Sequence, residues 1–127
     1  NYTANGTAWI LMNATAELFN LRFEKDGIHF YEAQVDSKGG QPSWMTPCPR
    51  SLVTGKRVFT VLVQNNSITW ALLEATNSHG SSGLFGDVTY VKRLFTQNVL
   101  PPQSVPTEIN ATFSSSYTSF YVYYKQL

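Results

Sequence analysis

The sequence predicts an all-β fold: an antiparallel β-sandwich of about seven or eight short strands with long loops. Three observations predict it. Short segments alternate apolar and polar residues with period two, no segment sustains the 3.6-residue period of a helix, and clusters of Gly, Pro, Asn and Ser recur between the alternating runs.

In chain order, Ala8 to Thr15 alternates Trp9 and Leu11 against Ala8, Ile10 and Met12, a first strand. Glu17 to Phe23 places Phe19, Leu21 and Phe23 on one face and Leu18, Asn20 and Arg22 on the other. Asp26-Gly27 follows, the pair preferred in a type I′ turn because both central residues take positive φ. A hairpin with Ile28 to Val35 is therefore expected. Between Asp36 and Lys56 the periodicity disappears and Gly39, Gly40, Pro42, Pro47, Pro49 and Gly55 interrupt the chain, which reads as one long surface loop. Arg57 to Gln64 and Ser67 to Glu74 form a second expected hairpin about Asn65-Asn66. Thr76 to Gly86 reads as a flexible loop, Asp87 to Thr96 as a strand, and Gln97 to Pro106, with Pro101, Pro102 and Pro106, as an extended crossover. Glu108 to Phe113 is expected to pair briefly.

The last stretch, Ser114 to Leu127, is dense in Tyr, Phe, Thr and Val, residues that suit a pleated backbone. Period two puts Thr118, Phe120, Val122 and Tyr124 on one apolar side and Tyr117, Ser119, Tyr121, Tyr123 and Lys125 on an amphipathic one. Unpaired, such a strand would template aggregation. It is expected inside a sheet whose outer face meets another surface, such as a second copy of the chain.

The 127 residues and 14.2 kDa fit one domain, 1–127, able to bury roughly two-thirds of its unfolded surface. Cys48 is the single cysteine, so no internal disulfide is available. Charged residues make up 13% and aromatics 14%, a balance that favours a binding surface over a web of ion pairs. The net charge of +1 comes from scattered basic residues, which argues against nucleic acid. No apolar run approaches the roughly 18 residues needed to span a bilayer, so no membrane insertion is expected, and Asn1 does not open a signal peptide.

The chemistry of catalysis is thin. His29 lies mid-strand and reads as a satisfied strand histidine. His79 stands in SHGSSG beside Ser78, Ser81 and Ser82, but the string lacks the strand-turn-helix context of a nucleophile elbow. A small hydrolase using Ser81 and His79 is a minor reading. The two histidines and one cysteine have no ligand spacing, so neither a metal nor a cofactor is expected. Gly80, Gly83 and Gly86 open no helix and make no phosphate cradle. No pair of carboxylates stands out, and the chain is read as having no catalytic residues. Five glycosylation sequons occur, at Asn1, Asn5, Asn13, Asn65 and Asn110, compatible with a glycosylated ectodomain or with chance in an Asn/Ser/Thr-rich chain. The side chains left for recognition are Trp44 and Arg50 in the long loop, and His79 and Phe85 in the second. An aromatic plate beside hydroxyls and an arginine suits a sugar carboxylate or a protein hot spot, although Trp44 equally suits a plug at the end of a sandwich.

Two stretches carry a resemblance. The terminal SSYTSFYVYYKQ, preceded by Ile109 to Thr112, and the segment FNLRFEKDGIHF resemble, in order, the closing strand and an early hairpin of the head (knob) domain of adenovirus fibres. Together they cover about a quarter of the chain. Thr7 to Trp9 only faintly matches the opening of such heads, and the chain is similar to the compact heads of the family. The resemblance implies a sandwich assembled as a symmetric homotrimer at the fibre tip on the virion surface, built in the host nucleus, attaching to a host cell-surface receptor, protein or sialylated glycan. Receptor residues do not transfer between lineages. The alternative is a galectin-like or other β-sandwich lectin domain of a viral spike or secreted glycoprotein. A lipid-carrying barrel is a further reading.

Overall fold

The computed structural model describes residues 1–32, 41–47, 50–63, 68–79, 83–98, 107 and 109–125. Among them the fold is all-β and antiparallel. The strands are β1 (Tyr2–Ala4), β2 (Trp9–Leu11), β3 (Asn13–Phe19), β4 (Lys25–Glu32), β5 (Ser43–Pro47), β6 (Arg50–Val61), β7 (Trp70–His79), β8 (Val88–Asn98), β9 (Thr112–Phe113) and β10 (Tyr117–Lys125). Seven of them form one sheet in the order β10-β8-β7-β6-β5-β4-β3, and β2-β1-β9 form a small second sheet.

The expected first strand is divided between β2 and the start of β3. The first hairpin exists, but its turn lies earlier than expected. Asn20 closes it: the Asn20 Oδ1 accepts the N–H groups of Arg22 at 2.9 Å and Glu24 at 3.1 Å, and the Asn20 N–H reaches the Glu24 carbonyl at 3.0 Å. Such a side chain mimics a backbone turn and competes with the Asp-Gly signal downstream. Phe23 takes φ 60° to complete it. Gly27 then sits inside β4 opposite Leu18. Its glycine is required for a different reason, since a Cβ there would collide with the Met45 carbonyl oxygen of the neighbouring β5.

The expected long loop from Asp36 to Lys56 is the largest correction. Ser43–Pro47 and Arg50 onward are strands, paired Ser43↔Thr54 through Pro47↔Arg50. Pro42 precedes β5 and Pro47 ends it, positions where a missing N–H breaks no ladder. The Pro42 carbonyl even accepts the Gly55 N–H at 2.9 Å. The second expected loop likewise begins later, because β7 runs to His79. Asn65-Asn66 and the crossover's three prolines lie outside the described residues. Thr112–Phe113 pairs with β1 and fulfils the expected brief pairing.

β6 carries irregularities between Thr54 and Gly55 and between Arg57 and Phe59. Bulges bend a strand, and here the sheet curls. Trp44 of β5 consequently meets Tyr121 and Tyr123 of β10 edge-on, with ring centroids 5.4 and 6.3 Å apart. The buried core between these layers is Trp44, Val53, Ala71, Leu73, Phe85, Val88 and Val91.

The terminal strand shows the expected alternation, and the tyrosine-bearing side is the one that meets the core. Tyr117, Ser119, Tyr121 and Tyr123 face inward, while Thr118, Phe120, Val122 and Tyr124 face outward. Register decides this, because Tyr121 and Tyr123 pair with Arg93 and Val91, and Val91 is core. β10 also forms the margin of the seven-stranded sheet rather than lying within it.

Candidate functional site

The concave side of the curled sheet is a trough of about 2160 Å³. Small-molecule pockets usually measure ~300–1,000 Å³, so the space suits an extended ligand. Its floor is built by alternation. Because β8 and β10 pair Tyr121 with Arg93, and β7 pairs Ala71 with Arg93, the guanidinium rises between two strands on the inner face.

Arg93 is held on both sides. Its Nε donates to the Thr69 carbonyl at 3.0 Å and an Nη to the Thr69 hydroxyl at 3.4 Å. A side-chain hydrogen bond joins it to Tyr121, whose hydroxyl in turn bonds Tyr117. Burial pulls the guanidinium below the usual arginine range, and Arg57 nearby adds to this, while the two tyrosines oppose it. Burial also pushes the Tyr117 and Tyr123 phenols well above the ordinary tyrosine value, so both stay neutral hydroxyls.

His29 forms the opposite wall. Its ring stacks on Trp44 with centroids 4.7 Å apart and planes 14° apart, and lies 5.1 Å from Tyr121. Nδ1 is 2.8 Å from the Ser43 carbonyl; a carbonyl only accepts, so Nδ1 carries the proton and Nε2 is left as an acceptor. Burial is the main cause that lowers the pKa to about 4; the Ser43 carbonyl works against it and Arg93 adds to it. The histidine is therefore neutral at pH 7, in agreement with its reading as a satisfied strand residue. Trp44 Nε1, Ser119 Oγ and Tyr123 Oη are buried polar atoms with no hydrogen-bond partner among the described residues.

Of the side chains singled out for recognition, Trp44 and Phe85 are each only 1% exposed and belong to the core. Their surface placement is corrected: strand pairing turns Trp44 inward against His29, and the Ser51 hydroxyl ties down Phe85 by accepting its N–H at 2.9 Å. Trp44 is the plug. Arg50 is exposed at the first position of β6, away from the trough. His79 is the last residue of β7, opposite Leu52. Ser81 and Ser82 lie outside the described residues. All four lie near one end of β6, Trp44 opposite Val53, His79 opposite Leu52 and Phe85 bonded to Ser51 beside Arg50, but the burial of Trp44 and Phe85 takes both away from any surface they could share with Arg50.

Sequence reasoning missed Arg93, Tyr117 and Tyr121. The available signal was the tyrosine-bearing face of the last strand, which period two sets apart without saying which side meets the core. Among the described residues no three His, Cys, Asp or Glu stand close enough to hold a metal ion, and no helix is long and apolar enough to cross a membrane. No family model matches the chain, and neither a curated protein nor a solved structure does.

Proposed function

We propose that the chain is a non-enzymatic attachment domain that assembles as a homotrimer and grips a receptor on a host cell surface, in the manner of a fibre head at the tip of a virion. The observation that carries the reading is the apolar outer surface. The second half of β6 and the residues after it expose Val58, Phe59, Val61, Leu62 and Val63 in a row. Elsewhere on the surface Phe95 and Phe120 pack edge to face 5.9 Å apart, both exposed, and Lys92 lies 5.3 Å over the Tyr124 ring. A β-prone, uncharged run such as VFTVLV left open to water would nucleate aggregation. Covering it with sister copies removes that hazard, and the count of three rests on the resemblance of the terminal strand and early hairpin to fibre heads.

Assembly serves attachment through multivalency. One weak site near millimolar is worth about 4 kcal/mol, and three sites on one fibre raise avidity with no new contact. Light scattering after gel filtration tests the proposal. The expected mass is three times that of the 14.2 kDa chain; a strictly monomeric species at micromolar concentration would overturn it.

A lectin domain is the second reading, favoured by the hydroxyl- and aromatic-lined trough. If it belongs to a secreted glycoprotein, the sequons matter: Asn1, Asn5 and Asn110 are exposed. A mass loss on glycosidase treatment of material from its native source would favour that reading over a head built in the nucleus.

A further inference from the structure

We infer that the trough is a binding site for a carboxylate-bearing ligand, with Arg93 as the anchoring cation and Tyr117, Tyr121 and Arg57 around it.

The argument begins with an imbalance of charge. Arg93 is mostly withdrawn from water, and a buried cation is ordinarily matched by an acid. The one ion pair among the described residues is Lys25 with Glu17, at 3.2 Å, and it lies elsewhere. Among the described residues two carboxylates line the trough, Glu17 and Asp26. Glu17 is engaged by Lys25, and Asp26 bears on Tyr123. Neither comes within ion-pair distance of Arg93. Arg57, which also lines the trough, adds a second positive charge of the same sign.

The donor geometry supports an anion. A guanidinium has five N–H groups. Arg93 directs one to the Thr69 carbonyl, one to the Thr69 hydroxyl and one toward Tyr121. Among the described residues the remaining Nη donors have no named partner, and charged oxygens accept strongly from a guanidinium. These contacts also hold the fork still, so little rotamer freedom is lost on binding. The phenols of Tyr117 and Tyr121 present aromatic faces and hydroxyls alongside, and the size of the trough accommodates a body larger than the carboxylate itself.

The site rests on the reading of the chain as a binding domain, and it is tested separately from assembly. Sodium glucuronate and glucose are titrated into the intact assembly by ligand-observed NMR, with light scattering on the same samples. The expected result is saturable binding of glucuronate and none of glucose. Arg93→Gln weakens glucuronate by about tenfold or more. Because Arg93 also ties to Thr69, two gentler variants accompany it: Arg57→Gln and Tyr117→Phe, each expected to weaken binding severalfold. Equal response to glucose, no saturation with glucuronate, or unchanged affinity in both gentler variants overturns the site. A trimer that ignores glucuronate removes the site alone, and a monomer that binds it removes the assembly alone.

Discussion

The two halves of β6 share a strand and have opposite fates. From Arg50 to Gly55 it lies against β5 on one side and β7 on the other, and Ser51 and Val53 are fully buried. From Lys56 to Val61 β7 alone accompanies it among the described residues, and every residue is exposed, Phe59 by 61%. The exposed half is the more apolar of the two. Composition therefore does not decide burial here; the reach of neighbouring strands does. β5 stops at Ser43, opposite Thr54, and the cover stops with it. An apolar segment left exposed in this way is the surface that the proposed assembly would cover.

The sharpest way to break this contrast is to truncate one aromatic on each side. Trp44→Ala removes the largest fully buried side chain, which packs against His29, Tyr121 and Tyr123. It is expected to lower unfolding stability by about 3–5 kcal/mol. Phe59→Ala, measured by the same denaturant titration on dilute protein, should change it by less than about 1 kcal/mol. Equal losses would erase the distinction between the halves.

The next effect depends on pH. The unfolded histidine takes up its proton near the ordinary value of 6.5, whereas folded His29 does so only near about 4. Between those values the unfolded state holds more protons, so stability is full above the upper one and falls as pH drops toward the lower, by on the order of 3 kcal/mol. The loss belongs to the buried layer, since the protonated ring would stand charged between Trp44 and Tyr121. His29→Phe keeps the stacking and should remove that part of the slope. Identical pH profiles for wild type and variant would show that His29 contributes nothing to it.

Much of this architecture was legible in the residues, and its misreadings have physical causes. The strand class, the hairpin from β3 to β4 and the alternation of the last strand follow from period two, which is local. The side that faces the core is not local: Tyr121 turned inward because its partner is Arg93 and the next pair rests on Val91. A tyrosine ring fills a core while its hydroxyl satisfies a polar neighbour, so a Tyr-rich face signals inside or outside equally well. Proline and glycine misled in the other direction. Around Trp44 they sit where strands begin and end, and density alone suggested a loop. The trough itself joins residues of β4, β7, β8 and β10, a conjunction that sequence spacing does not reveal.

The boundary between the two halves is Gly55. A Cβ there would lie 3.3 Å from both the Leu73 Cβ and the Trp44 Cζ3. Both neighbours belong to the core and have little room to give, so Gly55→Ala is expected to cost about 1–3 kcal/mol by overpacking. Thermal unfolding checks this, and a stability equal to wild type would mean that the bend absorbs a methyl group without shifting Trp44.

The smallest effect on folding tests the largest claim about assembly. Phe59→Asp places a charge on the exposed half of β6, where water already solvates the side chain, so the fold should lose no more than about 0.5 kcal/mol. In the trimer the same carboxylate would be buried against a sister copy without a cation, which strongly disfavours association. The expected result is a folded monomer by circular dichroism and light scattering, with the wild type sedimenting as the larger species. If the variant and the wild type share one mass, the apolar half of β6 is no interface. If the variant instead unfolds, that half belongs to the protomer's own core and the contrast within the strand is lost.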